Sequence, residues 1–326
     1  SALSIVGAGV VNDPANKSLR FDLLKFGLER FCSEMRKRGA PLKMSDTQPV
    51  TGRFFADSCQ TQLLDEEQRQ SIVLRYGGRG YGWTNLTQRI GFQSSGVIEY
   101  AVDFQSHDEA MYIYFRPRSV GTATFQTLLV ESALAQVGMG LTGVNPDQVG
   151  RDILLGQLQR GFTVIRYSER GDTELGMGIV PVGQRPFHPF SVSNSDRLMI
   201  DNDRTEVHTQ QQDFIGGLTL PEGGGKVTLS MSVDGSPALD VFVLPEATAL
   251  SMLQSYVTRA GASPLGGPAA FEAVLVQGQP QRWQLTLPAG LYYLLLDQSA
   301  VAGRSAPPDP SYGDRAAKVD YLIQLE

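Results

Sequence analysis

Three histidines, two cysteines and a cluster of aromatic side chains are the groups in this chain that could do chemistry. His107 falls in a polar hairpin turn. His188 falls in a Pro/Phe-rich connector, where packing or a backbone hydrogen bond suits it. His208 follows Asp201-Asn202-Asp203-Arg204-Thr205-Glu206-Val207. If that segment is a strand, Glu206 and His208 share a face and could hold a metal. Asp201 and Asp203 have the spacing that opens a calcium loop, but no Gly or Glu follows at EF-hand spacing. The alternative for these four residues is a solvated edge strand. Cys32 and Cys59 have neither C-x-x-C spacing nor a nearby histidine, which argues against zinc. In an exported protein such a pair suggests one disulfide; the alternative is two unrelated buried thiols.

Motifs for catalysis are sparse. There is no G-x-S-x-G elbow and no H-E-x-x-H. Gly138, Gly140 and Gly143 match G-x-G-x-x-G, but they follow a helix-like pattern where a dinucleotide site needs a strand. No cofactor is expected. The pairs Glu66/Glu67 and Asp108/Glu109 read as solvated, although a hydrolase site can be assembled from distant carboxylates by the fold alone. The aromatics are more suggestive. Tyr81, Trp83, Tyr100, Phe104, Tyr112 and Tyr114 fall on strand-like segments interspersed with glycines. They could line a groove for an apolar ligand or form an ordinary packed core.

The elements that would position them follow from periodicity. Phe21, Leu24, Leu28, Phe31, Cys32 and Met35 make one apolar stripe over residues 19–38. Arg36, Lys37 and Arg38 suit the last helical turn, and Gly39 and Pro41 end it. Residues 40–62 read as a loop ending in a short extended piece, 52–55. A strand is expected over 71–76, and the glycines of 77–83 read as strand bends or a tight backbone approach. Hairpins are expected over 97–116 and 162–180, the second with a turn at Arg170-Gly171-Asp172. Between them, 124–137 has a helical period through Phe125, Leu128, Leu129, Ala133 and Leu134. Asn145-Pro146 caps a further helix. Beyond the connector at 184–190 come short strands at 227–233, 239–244, 271–276, 283–287, 291–296 and 319–325. A short helix is expected at 247–259. The expected fold class is α+β. It comprises an extension with an amphipathic helix (1–62), an α+β domain of two hairpins and a helical pair (63–190), and an antiparallel β-sandwich (191–326).

The chain has 326 residues, with 28 Lys+Arg against 34 Asp+Glu, giving a net charge of −6. Residues 201–326 hold 7 basic and 14 acidic groups, net −7, which argues against a nucleic-acid partner. No uncharged apolar run reaches the length of a membrane helix.

The stretch Trp283-Gln284-Leu285-Thr286-Leu287-Pro288-Ala289-Gly290-Leu291-Tyr292-Tyr293-Leu294-Leu295-Leu296-Asp297 resembles the strand, Pro-x-Gly turn and Tyr-Tyr strand of bacterial pre-peptidase C-terminal-like β-sandwiches. Residues 318–326 are similar to their last strand. The resemblance covers about a third of the chain and implies an accessory module of a secreted protein. The small, apolar residues that open the chain at Ser1 resemble those that follow the lipid-bearing cysteine of a bacterial lipoprotein, and more loosely the whole chain resembles an exported lipoprotein of a GC-rich, myxobacteria-like Gram-negative bacterium. That resemblance implies a lipid-bearing cysteine just before Ser1 and a place in the periplasm or at the outer membrane. The expected function is non-enzymatic binding or assembly with other envelope proteins. The long loops 261–270 and 299–314 are the candidate surface. The alternatives are a carrier of an apolar, lipid-like ligand and a hydrolase with a carboxylate or metal site.

Overall fold

Alternating, strand-type patterning governs far more of this chain than helical periodicity. The computed structural model describes residues 13–66, 69–108, 110–132, 145–167, 173–192, 197–309 and 314–326. Strands β1 (Ala40–Lys43), β2 (Val50–Glu66), β3 (Arg69–Thr84), β4 (Gln88–His107), β5 (Ala110–Val130), β6 (Phe162–Tyr167) and β7 (Thr173–Met177) form the N-terminal half. With them go helices α1 (Lys17–Arg38) and α2 (Pro146–Arg160). The C-terminal half holds β8 (Leu198–Val207), β9 (Gln212–Leu220), β10 (Gly225–Asp234), β11 (Ala238–Pro245), β12 (Phe271–Val276), β13 (Gln281–Leu287), β14 (Gly290–Asp297) and β15 (Ala317–Leu325). Helix α3 (Glu246–Thr258) separates β11 from β12.

The strands form two sheets. One has 11 strands in the order β13-β10-β15-β8-β2-β3-β4-β5-β6-β7, with β1 added on β2; the other has four, in the order β12-β11-β14-β9. The expected α+β class is therefore wrong. The N-terminal half is one antiparallel sheet of unusually long strands around α1, and the fold is mainly β.

The misreadings have specific causes. Residues 124–130 are the far end of β5, not a helix. Successive β-bulges on β5 shift its register against β4, with Gly91 paired to Leu129 and Phe92 to Thr127. Leu128 is then an extra residue, so the apolar spacing drifts from two towards the three and four of a helix. The expected extended piece 52–55 is part of one long strand over 50–66, in which Phe54 and Cys59 face the core, Arg53 is buried, and Asp57, Ser58 and Gln60 are exposed. The glycines at 77–82 do not break β3. A Cβ on Gly78 would lie 2.2 Å from the Phe55 carbonyl oxygen, so glycine lets β2 and β3 coil tightly without interruption. Gly138, Gly140, Gly143 and the Arg170-Gly171-Asp172 turn lie outside the described residues.

The C-terminal half is the expected sandwich. Val227, Leu229, Met231, Val319, Tyr321 and Ile323 of one sheet face Leu239, Val241, Val243, Leu294 and Leu296 of the other in a single apolar core. The Pro288-Ala289-Gly290 turn does not close a hairpin, however. β13 pairs with β10, whereas β14 pairs with β11 and β9, so the turn carries the chain from one sheet to the other.

Two kinds of contact lock the halves together. Phe55 and Tyr81 of the long sheet pack with Phe214, Phe242 and Tyr293 of the small sheet and with Tyr256 of α3. Arg89 of β4, fully buried, lies 3.8 Å over the Tyr256 ring. It also donates to Glu131 at 2.7 Å and to the Arg259 and Gly261 carbonyls at 2.8 and 3.0 Å.

Candidate functional site

Helix α1 lies against the concave face of the long sheet. Its stripe Leu24, Leu28, Phe31 and Met35 recurs at helical spacing, so all four point the same way. The helix is tied down by a disulfide between Cys32 and Cys59 of β2, with a Cα–Cα distance of 5.4 Å. It ends where Gly39, at φ 74°, donates its N–H to the Met35 carbonyl at 3.2 Å. The positive φ needs glycine, and the reversal feeds β1 straight back onto β2.

The stripe does not fill the curl of the sheet. A cavity of about 390 Å³ lies between α1 and the strands. That volume is within the ~300–1,000 Å³ of typical small-molecule sites. Its apolar wall is made by the α1 stripe together with Ile72 of β3, Phe104 of β4, Ile113 and Phe115 of β5 and Val164 of β6.

Charged groups meet this wall from the C-terminal end of α1, from β1 and β2, and from β8. Lys43 is buried and its Nζ lies 2.7 Å from Asp203 Oδ2. Burial and the nearby Asp201 carboxylate outweigh Lys43, so the Asp203 carboxyl is pushed up to about 6. Arg38 donates to the Ile200 carbonyl at 2.9 Å and to Glu34 at 3.1 Å. The connector at 184–190 adds Pro186, Phe187 and His188 to the cavity lining. Asn202 clamps it by donating to the Phe190 carbonyl at 2.9 Å and accepting from the Phe190 N–H at 3.2 Å. That brings His188 to the cavity, where burial, aided by Arg185, holds its imidazole below the ordinary histidine range.

Arg53 marks the inner end. It is buried and pairs with Asp213 of β9 through two hydrogen bonds of 2.8 and 3.0 Å. Thr205 donates to Asp213 at 2.7 Å, and the Tyr81 hydroxyl donates to it as well. Burial alone would raise the Asp213 carboxyl, but Arg53 and these donors hold it below the usual range.

The six aromatics singled out from the sequence go to four places. Tyr100 and Phe104 face the core inside the sheet, and Phe104 lines the cavity. Tyr112 and Tyr114 share a face, as their spacing requires, but it is the opposite one, packed with Ala110 and Ile165. Tyr81 sits at the junction with the sandwich. Trp83 stacks on His208, with ring centroids 3.4 Å apart.

His208 is thus a packing residue. Its Nδ1 hydrogen-bonds to Asp314, and its Nε2 stands 3.8 Å from Glu206. Asp203 is engaged by Lys43, and Asp201 accepts from the Tyr321 hydroxyl at 3.1 Å. Among the described residues no group of three or more His, Cys, Asp or Glu could hold a metal ion.

The described parts of the candidate loops are pinned, the first to α3 and the second to the small sheet. Ser263 donates to the Met252 carbonyl at 2.7 Å. Asp240 accepts from the Arg304 and Ser305 N–H groups at 2.9 and 3.0 Å, and Asp297 accepts from Ser299 and Gly303 at 2.6 and 3.0 Å.

Sequence reasoning found the α1 stripe but took it for core. It missed Ile72, Ile113 and Val164, each an ordinary inward strand position. Only the curl of the sheet makes them a wall.

No family model matches this sequence, and no curated protein matches it. Among solved structures it aligns with the SMP, C2A and C2B domains of Extended-Synaptotagmin 2, at 10% identity and a TM-score of 0.17. The alignment covers 93% of this chain and 62% of that one, and a likeness this low carries no argument about fold or function.

Proposed function

We propose that this is an exported binding protein that holds an apolar ligand in the cavity between α1 and the long sheet. The observation that carries the proposal is the cavity itself, about 390 Å³ with four side chains of one helix and five inward strand residues as its wall. Cores are normally packed without voids of this size, so a large apolar cavity is the best candidate for a binding site. Export is supported by the Cys32–Cys59 bridge, because disulfides persist in oxidising compartments. Among the described residues no helix is long and apolar enough to cross a membrane. Of the roles left open by the sequence, carriage of an apolar molecule is the one for which the fold provides a dedicated feature.

The test is uptake of the neutral, polarity-sensitive dye Nile red. The protein should bind it saturably at one site. Leu28→Trp and Ile113→Trp, each filling the cavity from a different wall, should each weaken binding at least tenfold while leaving the circular dichroism unchanged. Absence of saturable binding, or full binding by both folded variants, would refute the proposal.

A further inference from the structure

The charged groups at the cavity say what kind of head the ligand carries. Four cationic side chains reach it, Arg38, Lys43, Arg53 and Arg166, and four carboxylates, Glu34, Glu174, Asp201 and Asp203; 4 − 4 leaves no net charge. The cations deepest in the wall are already engaged. Lys43 Nζ lies within 2.8 Å of both Asp203 oxygens. Arg53 gives Nε and Nη2 to Asp213 and a further bond, at 3.3 Å, to the Tyr321 hydroxyl. Arg38 is bound to Glu34 and to the Ile200 carbonyl.

Resting on the apolar-ligand reading above, we propose that this cavity selects an uncharged amphiphile, a long-chain alcohol or acylglycerol, over a fatty acid, a phospholipid or an alkylammonium. A ligand carboxylate or phosphate beside Lys43 or Arg53 would have to draw that cation away from its partner, and one beside Arg38 would compete with Glu34. That would leave Asp203 or Asp213 buried without a counterion, a strongly unfavourable state. An ammonium head beside Asp203 or Glu34 would meet the converse obstacle, because it would have to displace Lys43 or Arg38. A hydroxyl or ester needs only neutral hydrogen-bonding groups. The imidazole of His188 at the cavity wall, with its Nε2 3.7 Å from Glu174, is such a group.

The experiment is displacement of Nile red from the full chain at pH 7.5 by decanol, decanoate and decylammonium, matched in chain length and used below their micellar concentrations. Decanol should displace the dye at a concentration at least tenfold lower than either ion. Asp203→Asn, which frees Lys43, should improve displacement by decanoate about tenfold relative to decanol. Ions displacing as well as decanol, or decanoate unimproved in the folded variant, would overturn the head-group assignment while leaving the cavity reading in place. Failure of the dye to bind saturably would remove the apolar-ligand reading itself.

Discussion

Asp213 carries no sequence signal of its importance, yet five strands depend on it. It satisfies Arg53 of β2, accepts from Tyr81 of β3 and Thr205 of β8, and through Arg53 reaches Tyr321 of β15. Substituting Asp213→Asn leaves a buried guanidinium without its counterion, and urea unfolding should show a loss of about 3–5 kcal/mol. Titration gives a second, signed expectation. Asp203 and Asp297 are each pushed up to about 6 from an ordinary 3.8. The folded state therefore binds more protons than the unfolded one between these values, and stability falls as pH rises through the window. Asp213 and Asp314 are shifted down, so their contribution is present above the ordinary value and lost as pH falls through the lower folded one. In a His188→Gln background, which removes the opposing contribution of a histidine whose folded pKa is lowered, the melting temperature should rise from pH 7.5 to about 5 and fall again below about 4. A flat profile between pH 7.5 and 5 would contradict the burial assigned to Asp203 and Asp297. At this scale little was legible. Glu206 and His208 do share a neighbourhood, as a strand requires, but Trp83 and Asp314 are brought to His208 only by the fold.

Elements were legible wherever one period ran unbroken. The stripe, basic last turn and Gly39 of α1 all agree, and the helix forms where they put it. β5 was not legible, because its bulges break the two-residue alternation that identifies a strand. For β3 the sequence left two options for the glycines of 77–83, a bend or a close backbone approach, and the structure takes the second. Two predictions belong to these elements. Replacing Cys32 and Cys59 together by Ser removes a cross-link spanning 27 residues and should cost about 3 kcal/mol in chemical denaturation. Because the bridge holds a wall of the cavity, the same variant should also bind Nile red more weakly while folded. Gly91→Ala places a Cβ 2.0 Å from the Val257 carbonyl oxygen at the end of α3. The forced shift should destabilise the protein by about 1–3 kcal/mol, seen as a lower melting temperature.

At the scale of the whole molecule, the sandwich strands were visible in the sequence as short runs between turns. Their division between two sheets was not. Nor was the joining of the large sheet across the middle of the chain, where a single parallel pair, Val50 with Thr205, links β2 to β8. The apolar cluster around Phe55, Tyr81 and Phe242 and the ion pair Arg53–Asp213 reinforce that link. The cavity belongs to this scale too, since its lining comes from α1, from strands of both halves and from the connector between them. Its walls are ordinary core residues in sequence, and only the incomplete filling of the curl by α1 makes them a site. The most direct measurement of that claim is a native mass spectrum of the protein after incubation with a total lipid extract from a Gram-negative bacterium. One bound lipid-sized mass should be present and lost on denaturation, and it should be missing from the Leu28→Trp variant. A bare chain under the same conditions, or the same adduct on the variant, would contradict the account.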